Sequence, residues 1–434
     1  MVSLITLSLL FATAFSLPHP EPETPPTIEK QPHRLDLQRI SSVGKTSSRL
    51  LWQSMRTGLG NISSADLGQD FLANVTFGNE TRIAIIDTGS SDTWLVESGF
   101  TCVDYTTNYT IPPDECHFGP AVPRSKTFTP LPDSNFNISY ADGEYLNGHV
   151  GYDTVSFAGI TIQRQEISLA YLAGWFGDSY SSGLLGLAFP AVTSVYAGDD
   201  PKKDIAASTR HPDVNSTQKP YSSLMNTMFF VENITSPLFS LALSRDGAGQ
   251  ITGYGGVLEI GGILDRNEKG INASADFVST GIQILSKQWI NPKQPAYQFY
   301  TITVDSFAYR NARTLVARQY IVDSGTTLLY LPSTEAAAIN ALFVPPAYND
   351  GGQYMVQCNA IPPSIGVKVN GTVLSVNPRD LIVKMNERGT SCASGVQDGG
   401  TGPFVLGDVF LVNVLAVFDL GSYEMKFATR QYYV

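Results

Sequence analysis

One pattern, used twice, constrains this chain more than any other feature. Residues 83–96 read IAIIDTGSSDTWLV, and residues 318–332 read RQYIVDSGTTLLYLP. Each is an apolar run, then an aspartate (Asp87, Asp323), a hydroxyl residue, a glycine and two more hydroxyl residues before apolar side chains resume. Alone, either stretch is an ordinary strand entering a turn, because Asp, Ser and Gly are turn formers. A carboxylate at the end of a buried strand is nevertheless costly unless it is paired or used. The repeat extends further. GLLGLAFP at 183–190 follows the first stretch and PFVLGDVF at 403–410 follows the second, each with two apolar residues and a glycine at a similar separation from its aspartate. The same order twice is an internal repeat, and the chain reads as two related lobes, 65–245 and 246–434.

From about Asp66 onward the chain reads as short strands and turns. Its 38 Gly, 20 Tyr and 22 Phe, with few windows of helical period, point to an all-β fold. FLANVTFGNETRIAIIDTG reads as two strands around a turn at Gly78-Asn79. NISYADGEYLNGHVGYDTVSFAGITI reads as a hairpin with Ala141-Asp142-Gly143 at its tip. Ala197 to Pro220 is polar and proline-marked, as in a surface loop. Ser333 to Phe343 is the best helix candidate, with Ser333 or Thr334 as its N-cap.

The N-terminus, MVSLITLSLLFATAFSLPHP, has an apolar core followed by small residues and prolines. Ala14-Phe15-Ser16 offers the small-x-small pattern of a cleavage site, so residues 1–16 read as a signal peptide; a buried helix or a signal anchor is the alternative. The apolar run is short for a bilayer span, and no apolar tail follows FATRQYYV, so no membrane anchor is expected in the mature form. Asn-x-Ser/Thr sequons at Asn61, Asn74, Asn79, Asn108, Asn137, Asn215, Asn233, Asn272 and Asn370 suit a chain that passes a glycosylating compartment. The expected destination is extracellular, with a vacuolar lumen as the alternative. Cys102, Cys116, Cys358 and Cys392 allow three pairings, and the sequence alone does not choose among them. In an oxidising compartment disulfides are expected over a metal site; with no CxxC and five scattered histidines, no metal is expected.

Residues 17–64 read as a propeptide. The stretch 17–60 carries six Lys/Arg against four Asp/Glu, net +2, ahead of a body at −13. That contrast suggests a pro-region docked by charge and removed between about Lys45 and Asp66; a disordered linker is the alternative. The overall net charge of −11, without a basic cluster, argues against a nucleic-acid partner.

Two like lobes, each presenting one aspartate on a strand-end turn, can bring two carboxylates face to face. Like charges at close range do not both ionise cheaply, so one proton is shared across the pair. The ionised partner can then draw a proton from a trapped water while the protonated one hydrogen-bonds a substrate carbonyl. Gly89 and Gly325 let backbone N–H groups approach the carboxylates. Ser90 and Thr326 can hold the outer oxygens, and Thr88 and Ser324 can lock the two turns together.

On the motifs IIDTGSSDTWLV, ISYADGEYLNGHVGYDTV, GLLGLAFP, YIVDSGTTLLYLP and FVLGDVFLVNVLAVFD, the chain resembles a pepsin-like aspartic protease of the fungal secreted type over nearly all of 65–434. The resemblance implies a bilobal β fold with a cleft between lobes, an apolar-apolar-Gly element threaded behind each catalytic turn, and no cofactor. It implies Asp87 and Asp323 as the catalytic pair, acting on polypeptides without a covalent intermediate. It places Tyr140, Ala141, Asp142 and Gly143 on a substrate-covering flap, with the Tyr140 hydroxyl meeting the indole N–H of Trp94. It also pairs Cys102 with Cys116 and Cys358 with Cys392, and implies a monomer that binds pepstatin-type inhibitors. The chain departs from the family pattern at Ala141, where a flap glycine is usual, in the length of the 102–116 loop, and in a pro-region with few lysines. Asp142 and Glu144 read either as solvated turn acids or, for Asp142, as a group that accepts a substrate lysine. Two rival functions remain: a catalytically inactive binding or inhibitor protein on the same scaffold, which would typically lose an aspartate or its glycine, and a two-carboxylate glycosidase, which would leave the symmetrical motifs unexplained.

Overall fold

The computed structural model describes residues 32–41, 69–206, 215–231, 234, 236–245, 252–286, 296–309, 312–313, 316–385 and 389–431. All belong to one compact unit beginning at Pro32. The expected signal peptide, the 42–68 stretch that holds the expected processing region, Asn61 and Asn233 lie outside the described residues, and the 245/246 lobe boundary abuts the undescribed 246–251.

Strands dominate, as the turn-rich composition suggests. Their alternation is plain in Tyr145–Phe157, whose residues are buried on one face and half-exposed on the other. The decisive local topology occurs twice. Glu80–Asp87 pairs antiparallel with Gln69–Phe77 around the Gly78-Asn79 turn and parallel with Gly183–Gly186, from Ala84↔Gly183 to Asp87↔Gly186. Gly183–Gly186 in turn pairs antiparallel with Thr93–Val103. In the second half Arg318–Val322 pairs parallel with Phe404–Leu406, which pairs antiparallel with Leu329–Leu331. Each aspartate strand thus lies beside the apolar-apolar-Gly strand of its own half, and these strands are apolar and buried, as parallel pairing favours.

The glycine of that element is dictated by a close crossing. A methyl group on Gly186 would lie 2.5 Å from the backbone carbon of Ser91, and one on Gly407 would lie 2.5 Å from the Leu328 carbonyl oxygen. Only a residue without Cβ fits there.

A further six strands pair in the order His33–Ser41, Thr252–Ile260, Leu238–Leu243, Val414–Asp419, Glu424–Thr429 and Val278–Gly281. The first of them falls in the segment read as propeptide. It is held by an antiparallel ladder from His33↔Ile260 to Ile40↔Thr252, by a second pairing to Gln69–Phe77, and by burial of Leu37 and Ile40. Arg34 of this strand also pairs with Glu268. Backbone pairing and apolar burial both anchor this segment.

The expected helix runs Ser333–Asn340, with Pro332 as its N-cap and no side-chain cap. Neither expected capping residue serves as one: Ser333 Oγ donates to Asp398 Oδ1 at 2.7 Å, and Thr334 Oγ1 to Glu335 Oε2 at 2.7 Å. The described residues of the expected 197–220 loop include a 3-10 turn at Pro201–Lys203 and a bond from Ala197 N to Thr217 O at 2.8 Å. The loop begins at the end of the strand Val195–Ala197, which pairs with Thr129–Ser139. Cys102–Cys116 and Cys358–Cys392 are disulfides. Among the described residues no helix is long and apolar enough to cross a membrane.

Candidate active site

The two Asp-Thr/Ser-Gly turns meet through reciprocal bonds of Thr88 and Ser324. Thr88 N donates to Ser324 Oγ at 3.1 Å, and Ser324 N donates to Thr88 Oγ1 at 2.9 Å. Thr88 Oγ1 donates to Val322 O at 3.1 Å, and Ser324 Oγ to Ile86 O at 2.9 Å. Each hydroxyl therefore reaches across to the strand that carries the opposite aspartate. Within each turn, Gly89 N and Gly325 N donate to the Oδ1 of Asp87 and Asp323 at 2.7 and 2.8 Å. Ser90 Oγ and Thr326 Oγ1 donate to the corresponding Oδ2 at 2.5 and 2.6 Å. Both aspartates and all four hydroxyl residues are buried.

The glycines bring the carboxyls together. A methyl on Gly89 would run into the Asp323 carboxyl, and one on Gly325 into that of Asp87. The two acids thus lie buried against each other's turns. Burial first, and then the charge of Asp323, push the Asp87 carboxyl well above the usual carboxylate range, against the pull of Ser90 and the Gly89 N–H. Such a pair holds one proton where isolated aspartates would hold none. It can offer a base and an acid to the same substrate at once.

The hairpin of Thr129–Ser139 and Tyr145–Phe157 turns at 140–143, closed by Tyr140 N to Glu144 O at 2.7 Å and Gly143 N to Tyr140 O at 3.2 Å. Trp94 Nε1 donates to Tyr140 Oη at 2.9 Å, bringing together the two residues that the family pattern pairs. Ala141 is buried and lies outside the positive-φ region, so the alanine meets no backbone penalty there, whereas Gly143 takes φ 99°. Asp142 is half-exposed and accepts from Glu144 N at 3.1 Å. Glu144 is not a solvated turn acid: it is buried and accepts from Phe176 N at 2.8 Å.

Several contributors carry no repeat to betray them. Trp175 stands edge-on to Trp94 and Tyr140 at 5.2 and 5.7 Å and stacks on Phe118, completing an aromatic wall behind the hairpin. Asp92, buried just after the first turn, accepts from Ser194 N and from Tyr221 Oη at 2.9 Å. Burial raises its carboxyl to about 6. A lone carboxylate inside the run SSDTWLV was the available signal for it.

Among the sequons, Asn74, Asn79, Asn108, Asn215, Asn272 and Asn370 are exposed. Asn137 is half-buried, and its Nδ2, the atom a glycan would take, donates to Pro201 O at 3.1 Å and Asp204 Oδ2 at 2.8 Å.

Comparison with known proteins shows the family of the chain. The eukaryotic aspartyl protease family model matches residues 70–430. A probable aspartic-type endopeptidase of Aspergillus fumigatus is 37% identical over 96% of this chain and 92% of its own length. An acid protease of Saccharomycopsis fibuligera is 25% identical over 99% of this chain and 98% of its own. In fold, the crystal structure of an aspartic proteinase from Irpex lacteus superposes with a TM-score of 0.62, covering 91% of this chain and 98% of that one at 17% identity. Two mirrored aspartate turns, a bilobal β fold and a family match across both halves lead to one conclusion: the chain belongs to the eukaryotic aspartyl protease family and is an aspartic endopeptidase.

Proposed function

We propose that the protein is a secreted acid endopeptidase, made as a zymogen, that hydrolyses peptide bonds with Asp87 and Asp323 and no covalent intermediate. The observation that carries this reading is the reciprocal hydrogen bonding of the two turns, which holds two buried carboxyls against each other's glycines. The ionised partner takes a proton from a water whose oxygen adds to the scissile carbonyl carbon. The protonated partner hydrogen-bonds the carbonyl oxygen, and the resulting gem-diol collapses as the leaving nitrogen receives a proton. The Tyr140–Gly143 hairpin covers the substrate. Secretion rests on the N-terminal segment and the exposed sequons, and Asn137 is proposed to carry no glycan because its amide nitrogen is engaged. The zymogen reading rests on the segment 17–64, whose strand His33–Ser41 is paired into the fold. One relative, from Saccharomycopsis fibuligera, is named an acid protease, in keeping with an acidic working range.

Digestion of denatured protein at acidic pH, with and without a pepstatin-type inhibitor, tests the reading. Inhibitor-sensitive cleavage is expected. Binding of the inhibitor without any cleavage would instead favour an inactive relative on the same scaffold.

A further inference from the structure

We propose that the disulfide-closed loop from Cys102 to Cys116 braces the substrate-covering hairpin, with Asn108 and Tyr145 as positioning residues for substrate binding. The inference rests on the two-aspartate reading and on the hairpin acting as its cover.

The loop is rigid on its own account. Its base is closed by the disulfide and by the pairing Cys102↔Ile111 and Val103↔Thr110. Its tip is tied by Asp104 N to Tyr109 O at 2.9 Å and Asn108 N to Asp104 O at 2.7 Å. Asp104 Oδ1 accepts from Thr106 N, Thr106 Oγ1 and Thr107 N at 2.9, 2.6 and 2.8 Å. This preformed tip presents Asn108, at φ 59°, to the hairpin. Tyr145 Oη donates to Asn108 Oδ1 at 2.6 Å. The Tyr105 ring lies where a methyl on Gly143 would meet its Cδ2 at 3.8 Å.

Tyr145 is the first residue of the returning hairpin strand, opposite Ser139, so the bond lands at the root of the tip. A second support reaches the same place. Glu144 Oε1 holds Phe176 N, the Phe176 ring lies 4.7 Å from that of His117, and Gly177 N donates to Cys116 O at 2.8 Å. Two routes from the tip therefore lead back to one loop. Residues 106–110 are exposed, so this part of the loop adds little to the core. What it does add is order at the hairpin tip.

Order supplied in advance does not have to be supplied by the substrate. Loss of the brace weakens the Michaelis complex and the transition state alike, which raises KM and leaves kcat near its original value. One neutral hydrogen bond corresponds to an increase in KM of about three- to tenfold. Asn108-Tyr109-Thr110 is also a sequon, so the variants must separate a glycan from the bond. Tyr145→Phe removes the donor alone, Asn108→Ala removes acceptor and sequon, and Thr110→Ala removes the sequon alone.

The test is steady-state peptide cleavage at acidic pH by the activated full-length product, with Tm measured alongside. Tyr145→Phe and Asn108→Ala should raise KM by similar factors, the double variant no further, and Thr110→Ala should match the parent. An unchanged KM in Tyr145→Phe, a fall in kcat at constant KM, additive effects in the double variant, or a lower Tm without a change in KM would each overturn the brace. An inactive parent would overturn the function and the brace together; an active parent with an indifferent Tyr145→Phe would overturn the brace alone.

Discussion

Gly89→Ala isolates the role of glycine at the meeting of the two turns. A methyl at that position would lie 2.5 Å from Asp323 Cγ and 2.6 Å from its Oδ2. Ordinary contact for such atoms is about 3.5 Å, so the carboxyl has to retreat by about 1 Å. Misplacement of a reacting group on that scale costs about a hundredfold in rate. Gly89 lies outside the positive-φ region, so alanine brings no backbone strain and the loss is one of catalytic geometry. Gly325→Ala should cost activity in the same way, since its methyl would meet Asp87 Oδ1 as closely as that of Gly89→Ala meets Asp323 Oδ1. Gly99 is the control: it has φ 85° and open space around it. Alanine there should lower stability by about 1 kcal/mol through backbone strain and leave activity intact. The assay is kcat for acid peptidolysis with Tm for each variant. A Gly89→Ala enzyme within about fivefold of the parent would refute the account of glycine as the residue that admits the opposite carboxyl.

Burial holds Asp92 at about 6 against an ordinary value of 3.8. The folded state therefore keeps a proton that the unfolded chain releases, and this stability is full below about pH 4 and lost as pH rises to about 6. At 1.36 kcal/mol per unit the loss is about 3 kcal/mol. Glu166, raised to about 7 by burial and then by the charge of Asp92, extends the decline. Asp92→Asn should flatten the fall in Tm between pH 4 and 7, and an equal fall in the variant would contradict this origin. Asp142→Ser should slow cleavage of a peptide with lysine just before the scissile bond by about tenfold or more, while a matched phenylalanine peptide changes little; equal losses would remove Asp142 from specificity. N-terminal sequencing of the active form should place its start between Lys45 and Asp66, and a start upstream of His33 would contradict removal of the first strand.

The residues that the sequence made legible are those whose local geometry is required twice. Asp87 and Asp323 need the same hydroxyls and glycine, and Gly186 and Gly407 need the same clearance, so one motif predicts the other. Tyr140 and Trp94 became legible only through the resemblance, because nothing local says that their side chains meet. The strand His33–Ser41 was read through its charge, although HRLDLQRI carries alternating apolar positions; its partner Thr252–Ile260 is remote in sequence, and pairing over such a distance leaves no local mark. Glu144 and Asp92 were illegible for a related reason. Their burial depends on Phe176, Ser194 and Tyr221, which arrive from other strands and loops. The extra length of the 102–116 loop was visible, but its contact with Tyr145 was not.

The most direct test of the central claim is acid peptidase activity in Asp87→Asn and Asp323→Asn, each produced and folded like the parent. Asparagine keeps the shape of each side chain and removes the proton exchange that the pair depends on. Both variants should fall to background hydrolysis while Tm stays near that of the parent. Substantial peptide cleavage by either one would contradict the two-aspartate account.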